Sequence, residues 1–374
     1  MPTFSDRIDG LRPSPIRTVL SVVDRPGMVS FAGGLPAAAA LPAWSGSVGP
    51  ETLQYGASEG EPALRRAVAD HLHALGVDTT ADRVIILSGS QQGIDLVAKL
   101  MIDAGTITAV DDPTYLAALQ VLRLYGADFT GLDDTGLADA SLAYVVPTFA
   151  NPTGACASGP ERDRIADTCR ENGTVLFEDD PYRELAYADV DRTPIVARMH
   201  GASWIYQGSF SKTFAPGLRL GFMTASPDLF DRLVMLKQAV DLHSSRLSQQ
   251  IVLDAITGSG WQDRLDSLVD FYRDRRDGFD ELLRTYFADL ADWTSPPGGL
   301  FFWLRLREPM DTRRLLDEAV GRGVAFMPGE EFYAGPPTLG TMRLNFSHAD
   351  HDDADRGLRI LADLVAERFD RRGS

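Results

Sequence analysis

Between residues 84 and 224 short apolar runs alternate with helical stretches, and each apolar run ends in a small polar cluster. Val84-Ile-Ile-Leu87 leads into Ser88-Gly-Ser-Gln-Gln-Gly93 and a helix over 94–102, and the run over 106–110 leads into Asp112-Pro-Thr-Tyr115 and a helix over 116–125. The run over 142–146 ends at Pro147-Thr-Phe-Ala-Asn151-Pro-Thr-Gly154, with a helix over 161–171. The run over 174–177 delivers Glu178-Asp-Asp-Pro-Tyr182, and the run over 204–206 enters a stretch rich in glycine and serine from Gly208, left by a further strand over 218–224. Short unbroken apolar runs spaced by helices are the signature of strands buried on both faces of a parallel sheet. Such a sheet collects its ligand site outside the carboxyl ends of its strands. The expected fold is therefore α/β, with five polar clusters converging on one sheet edge.

The flanks differ. Residues 1–45 read as an N-terminal arm, with one or two amphipathic turns over 16–23, a stop at Arg25-Pro-Gly27 and a brief strand over 28–31. A loop around Tyr55 precedes a helix that opens at Pro62. Leu265, Leu268, Val269, Tyr272, Phe279, Leu282, Leu283 and Tyr286 keep helical spacing, which predicts a long helix bridging two domains. Strands over 301–306, 324–327 and 342–346, with helices over 312–320 and 352–371, make a smaller α+β domain that the N-terminal arm completes. The expected division is 46–275 for the large domain, and 1–45 with 276–374 for the small one.

The most informative cluster is Gly208-Ser-Phe-Ser-Lys-Thr-Phe-Ala-Pro-Gly-Leu-Arg-Leu-Gly221. Lys212 sits among the hydroxyls of Ser209, Ser211 and Thr213, with Arg219 seven residues on. An amine among hydroxyl donors and beside a second cation suits imine formation with an aldehyde cofactor that carries a phosphate. Burial and the neighbouring cation both lower a lysine pKa, so the nucleophilic amine is available near neutrality. The turn Gly89-Ser90-Gln91 at a helix start offers free N–H groups, a natural phosphate cradle.

Composition narrows the partners. The 374 residues carry a net charge of −17, which argues against a nucleic-acid backbone as partner. Two cysteines, Cys156 and Cys169, lack metal-ligand spacing and fit a reducing cytoplasm. The first residues contain no apolar signal segment, and no apolar run is long enough to span a membrane. The expected location is cytoplasmic, with no metal and no membrane partner.

Taken together, Phe31-Ala-Gly-Gly-Leu-Pro36, Gln54-Tyr-Gly56, Gly89-Ser-Gln-Gln92, Asp112-Pro-Thr-Tyr115, Asn151-Pro-Thr-Gly154, Glu178-Asp-Asp-Pro-Tyr182, the Lys212 stretch, Pro297-Gly-Gly299 and Met342-Arg-Leu-Asn-Phe346 resemble fold type I pyridoxal phosphate enzymes. Within these the chain is most similar to class I/II aminotransferases of the 2-aminoadipate and kynurenine type, over nearly its whole length. The resemblance implies a mostly parallel seven-stranded sheet sandwiched by helices, and pyridoxal 5′-phosphate as cofactor. Lys212 then holds the cofactor and later moves a proton. Asp179 pairs with its ring nitrogen, with Asp180 as a rival on sequence alone. Asn151 and Tyr182 face its phenolic oxygen, and Tyr115 stacks on its ring. Gly89, Ser90, Gln91, Ser209, Ser211 and Arg219 form the phosphate cup. Arg343 clamps the substrate α-carboxylate, with Asn151, the backbone of Gly34 and Arg17 as further substrate contacts. Tyr55 reaches the phosphate of a neighbouring subunit, which makes the enzyme a homodimer with shared sites. Asn151-Pro152 is a candidate cis peptide. The segment before Thr106, Asp103-Ala-Gly105, is shorter than the family's usual run and concerns packing more than chemistry.

The expected activity is amino-group transfer between an L-amino acid and a 2-oxo acid, in two half-reactions of a ping-pong scheme. One alternative keeps fold and cofactor but changes the reaction to a lyase, oxidase, decarboxylase or carbon–carbon bond-forming one. A remote alternative is a non-enzymatic, aminotransferase-like transcription regulator. It would need an additional basic N-terminal domain, whereas this acidic chain starts almost at the catalytic fold.

Overall fold

Strands form where the apolar runs lie. The computed structural model describes residues 4–9, 25, 27–44 and 46–373. In chain order the strands are β1 Val29–Ser30, β2 Val84–Leu87, β3 Ile107–Val110, β4 Asp128–Thr130, β5 Leu142–Val145, β6 Val175–Asp179, β7 Trp204–Ser209, β8 Gly221–Ala225, β9 Ala291–Trp293, β10 Phe301–Leu306, β11 Val324–Ala325, β12 Met327–Pro328 and β13 Thr341–Asn345. Seven of them make one sheet in the order β2-β8-β7-β6-β5-β3-β4. Only β8 runs against its neighbours.

Side chains along each central strand alternate between two apolar cores. Ala143, Val145, Leu176 and Tyr206 face one core with the helices Pro62–Ala74, Gly159–Asn172 and Arg246–Thr257. Leu142, Tyr144, Phe177 and Ile205 face the other, with Ser90–Met101, Leu116–Tyr125 and Pro227–Asp241. A strand buried on both faces carries mainly apolar side chains along its length, so most of its polar residues gather at or beyond its end. The polar clusters therefore fall at the carboxyl ends.

A second sheet, β12-β13-β10-β9, is antiparallel, and β1 pairs with β11 in parallel. The 27-residue helix Trp261–Phe287 and the helix His351–Gly373 pack against this sheet. Phe31, Phe279 and Phe302 interlock there, at ring distances of 5.4 Å, and tie the N-terminal segment to β10. Phe149 and Tyr182, from loops of the seven-stranded sheet, enter the same core. The two sheets thus meet along an apolar seam.

Four local expectations change. The strand expected over 324–327 is two short ones, since the chain crosses at Phe326 from the partner of β1 to the partner of β13. β8 begins at Gly221 because Pro216–Leu218 is a 3-10 turn and Arg219 takes a left-handed conformation. β6 and β7 run on to Asp179 and Ser209, so part of each polar cluster is strand. β4 and β9, three residues each, carry too few apolar residues to stand out as periodic segments.

Candidate active site

A cavity of about 350 Å³ opens at the carboxyl ends of the parallel strands, against the second sheet. It is lined by Gly34, Ser90, Gln91, Tyr115, Asn151, Asp179, Tyr182, Ser209, Ser211, Lys212, Arg219 and Arg343, together with Gly33, Leu35, Val146, Pro181 and Pro216. Residues far apart in the chain touch here: Lys212 and Gly34 are 178 positions apart, and Arg343 and Asn151 192.

Lys212 stands on the loop between β7 and β8. Phe210 and Phe214 sink into the apolar core on either side of it, and the N–H groups of Phe214 and Ala215 both donate to the carbonyl of Phe210. This local turn fixes the backbone and turns the lysine toward the cavity. Its Nζ donates to the carbonyl of Gly34 at 2.6 Å and lies 5.9 Å from the centre of the Tyr182 ring. Burial, then the positive charges of Arg343 and Arg219, lower its pKa to about 8.

Arg219 is left-handed, with φ of 50°, a conformation that costs a non-glycine residue energy and marks a constrained position. Its guanidinium lies against Gly89, where an added Cβ would come within 2.6 Å of Nη2. Gly89 itself has φ of 84° and precedes the helix Ser90–Met101. Ser90 and Gln91 are the first residues of that helix, so their N–H groups have no intrahelical acceptor. Ser209 Oγ accepts from the N–H of Ser211 at 3.1 Å. Glycine, helix start, hydroxyls and guanidinium make a cup for an anion.

Asp179 ends β6. The Tyr144 hydroxyl donates to its Oδ2 at 2.8 Å, whereas Oδ1 is buried with no partner. Burial raises its pKa to about 6, with the Gln207 and Tyr144 side chains pulling the other way. Asp180 is the weaker candidate, because it turns away from the cavity. Its Oδ2 is engaged by Arg183 at 3.0 Å and by the Tyr206 hydroxyl at 3.1 Å.

Arg343 rises from β13 between the rings of Phe301 and Phe332, 4.3 and 5.0 Å from their centres. Nη1 donates to Asn151 Oδ1 at 2.7 Å, Nη2 donates to the carbonyl of Ala32, and Nε has no partner. Among the described residues no carboxylate lies within ion-pair reach. Burial accordingly lowers its pKa to about 10. A buried guanidinium without a counter-charge is costly, and a ligand carboxylate would relieve that cost. Tyr115 stands at the position just before the helix Leu116–Tyr125, and burial pushes its phenol up to about 12.

Tyr55 alone of the described site candidates lies apart. Tyr55 is 77% exposed and meets the His243 ring edge-on at 5.8 Å, away from this chain's cavity. Arg17 lies outside the described residues. Tyr144, Gln207, Phe301 and Phe332 are site residues that the sequence reading passed over. For Tyr144 and Gln207 the signal is a polar group inside an apolar run, and the two phenylalanines give none. The Asn151-Pro152 bond is cis, and so is Asp112-Pro113. Among the described residues no group of three metal-ligating side chains gathers, and no helix is long and apolar enough to cross a membrane.

Fold and site define a fold type I pyridoxal phosphate enzyme. Residues 34–361 match the family described as aminotransferase class I and II, and the chain belongs to that family. It is 34% identical to the aromatic-amino-acid aminotransferase 1 of Thermococcus litoralis, covering 98% of this chain and 94% of that one. The structure of a Pyrococcus horikoshii kynurenine aminotransferase superposes with a TM-score of 0.89 at 31% identity, covering 98% and 97% of the two chains. The α-aminoadipate aminotransferase of Thermus thermophilus, complexed with N-(5′-phosphopyridoxyl)-L-leucine, gives 0.88 at 31% identity, covering 98% of each chain. The protein is a pyridoxal phosphate-dependent aminotransferase acting on amino acids and 2-oxo acids. Its cavity fits that cofactor: an amine for the aldehyde, an anion cup for the phosphate, and an orphaned buried carboxylate oxygen for a ring N–H.

The lowered lysine pKa has a direct readout. In cofactor-free protein the acylation rate of Lys212, followed by mass spectrometry of its peptide, rises with pH and levels off above about 8. A rate that keeps climbing toward 10.5, the ordinary lysine value, contradicts the site as described.

Proposed function

We propose that the enzyme moves amino groups by a two-stage ping-pong scheme centred on Lys212. The observation that carries this reading is the convergence on one cavity of a lysine with a lowered pKa, an orphaned Asp179 oxygen and a buried Arg343 without a counter-charge. When bound, the cofactor supplies an electron sink for the charge left at the substrate's α-carbon. Asp179 keeps the ring nitrogen protonated. Asn151 and Tyr182 would hold the phenolic oxygen, and Tyr115 would cover the ring.

Arg343, with Asn151 beside it, binds the substrate α-carboxylate through a planar fork. Its two flanking phenyl rings restrict the guanidinium, so the α-carbon is held in one orientation and its C–H bond is the one that breaks. The neutral Nζ of Lys212 would take that proton and hold it for return to the bound cofactor. The backbone of Gly34, whose carbonyl accepts from Lys212 at 2.6 Å, is a further contact proposed for the same carboxylate. Arg17 is kept as a side-chain contact on the resemblance alone.

The reading extends to assembly and location. Leu53, Tyr55 and Leu242 are exposed around the Tyr55–His243 contact, an apolar patch of the kind that meets a partner. A homodimer in which Tyr55 reaches the partner's phosphate covers that patch. The two separate sheets support the division into 46–275 and 1–45 with 276–374. An acidic chain with two unpaired cysteines suits the cytoplasm.

The half-reaction tests the chemistry. Amino donors, including aromatic amino acids, kynurenine and 2-aminoadipate, should convert the bound cofactor to its pyridoxamine form, seen by absorbance. No conversion with any donor would remove the transaminase reading in favour of another reaction on the same fold. Lys212→Ala should abolish both turnover and the absorption band of the bound cofactor, and normal turnover in that variant rejects the lysine. Arg343→Ala should weaken amino-acid binding by about 2–5 kcal/mol, read as a raised KM for small amino acids. An unchanged KM counts against the clamp. Mixing inactive Lys212→Ala and Tyr55→Ala chains under subunit exchange should restore activity, since one site of each hybrid is intact. Failure to restore it counts against shared sites.

A further inference from the structure

Outside the cavity, immediately behind the phosphate cup, lies a polar network that joins the buried Lys237 and Ser244 to the half-buried Ser88 and Gln92 through the partly exposed carboxylate of Asp241. Ser88, the residue before Gly89, is gripped from two sides. Its N–H donates to Gln92 Oε1 at 2.9 Å, and its hydroxyl donates to Asp241 Oδ2 at 2.9 Å. Gln92 Nε2 donates to the same Oδ2 at 2.7 Å. Lys237, 0% exposed, donates to both oxygens of Asp241, at 2.6 and 2.9 Å, and to Ser244 Oγ at 3.0 Å. Ser244 Oγ in turn donates to the carbonyl of Ile86 on β2, also at 3.0 Å.

Lys237 is fully buried while Asp241 keeps part of its surface in solvent, so the cost of desolvating the ammonium offsets most of the pair's attraction and the pair adds little net stability. What the pair supplies is geometry. Leu242 leaves the helix Pro227–Asp241 with φ of 65°, a strained conformation that brings Asp241 and Ser244 to face the same turn. With Lys237 neutralising it, the Asp241 carboxylate can gather the donors of Ser88 and Gln92 without opposing an anion nearby.

We propose that Lys237 and Asp241 are positioning residues for the cofactor's phosphate. Through Ser88 and Gln92 they hold the Gly89 turn at positive φ, so that the first N–H groups of the helix Ser90–Met101 point into the cup. The inference rests on the reading of Gly89, Ser90, Gln91 and Arg219 as the phosphate cup. It adds residues that touch neither cofactor nor substrate.

The test compares two ligands on the cofactor-free full chain: pyridoxal 5′-phosphate, and pyridoxal, which lacks the phosphate. Their Kd values are read from quenching of protein fluorescence. Ser88→Ala should weaken pyridoxal 5′-phosphate binding about tenfold, and Asp241→Asn about a hundredfold, while pyridoxal binding stays unchanged. Equal weakening of both ligands would assign the network to general packing, and no weakening of either would remove its role; both overturn the proposal. Ser88→Ala decides the matter should Asp241→Asn fail to fold, since it deletes one hydroxyl and leaves the ion pair whole. Arg219→Ala separates the two readings. If it loses the preference for the phosphorylated ligand while Ser88→Ala and Asp241→Asn keep it, the positioning role alone fails. If Arg219→Ala also keeps the preference, the cup fails and the proposal with it.

Discussion

Arg343 is a buried cation that the protein does not neutralise, and the arrangement of the site follows from that. With no carboxylate in reach among the described residues, it is supported only by Asn151, a carbonyl and the faces of two phenyl rings. Lys212 lies near enough for the two positive charges to interact, and its pKa falls accordingly. Asp179 adds a buried oxygen without a donor. Each of these groups costs free energy in the empty protein. In the proposed reading cofactor and substrate carry the complementary groups, so binding would offset the cost and set the orientation at once. A site built this way is complementary to charged ligands before they arrive, which is where electrostatic catalysis gets its force.

The scaffold makes that cost tolerable by dividing it between two rigid parts. The parallel sheet delivers Asp179, the lysine loop and the cup, while β13 of the second sheet delivers Arg343. Across the seam the two are joined by Asn151 to Arg343 and by Lys212 to Gly34, at 2.7 and 2.6 Å. Thr114 also donates its N–H to the carbonyl of Phe332, linking the turn of Tyr115 to the ring that flanks Arg343. The groups that would hold the cofactor and those that would hold the substrate are thus in register through direct hydrogen bonds.

The same economy extends behind the cup. From Ser244, whose carbonyl accepts from Gln249, the polar chain continues to the N–H of Glu61 through Gln249 Oε1. Glu61 pairs with Arg246, which donates to the carbonyls of Gln54 and Tyr55. The turn proposed to bind one phosphate and the loop proposed to reach another are therefore anchored to one framework.

Much of this was legible in the chain because strand burial is a local property. Apolar runs such as Val84–Leu87 must bury both faces, and their polar sequels must then sit at one edge; the order of motifs from Phe31 to Phe346 pointed to the family and its cofactor. Strand β4, the split of 324–327 into two pairings, and the turn that delays β8 to Gly221 were not legible, since each depends on a partner strand or a backbone conformation chosen by distant contacts. Asp179 and Asp180 are adjacent and chemically identical in sequence. Only the fold separates them, by turning one to Arg183 and Tyr206 and placing the other on the cavity wall. The sequence by itself determined the alternating fold and the inventory of reactive side chains, because periodicity and composition are carried residue by residue. Tertiary structure alone decided which charges remain unpaired, because pairing depends on residues brought together from opposite ends of the chain.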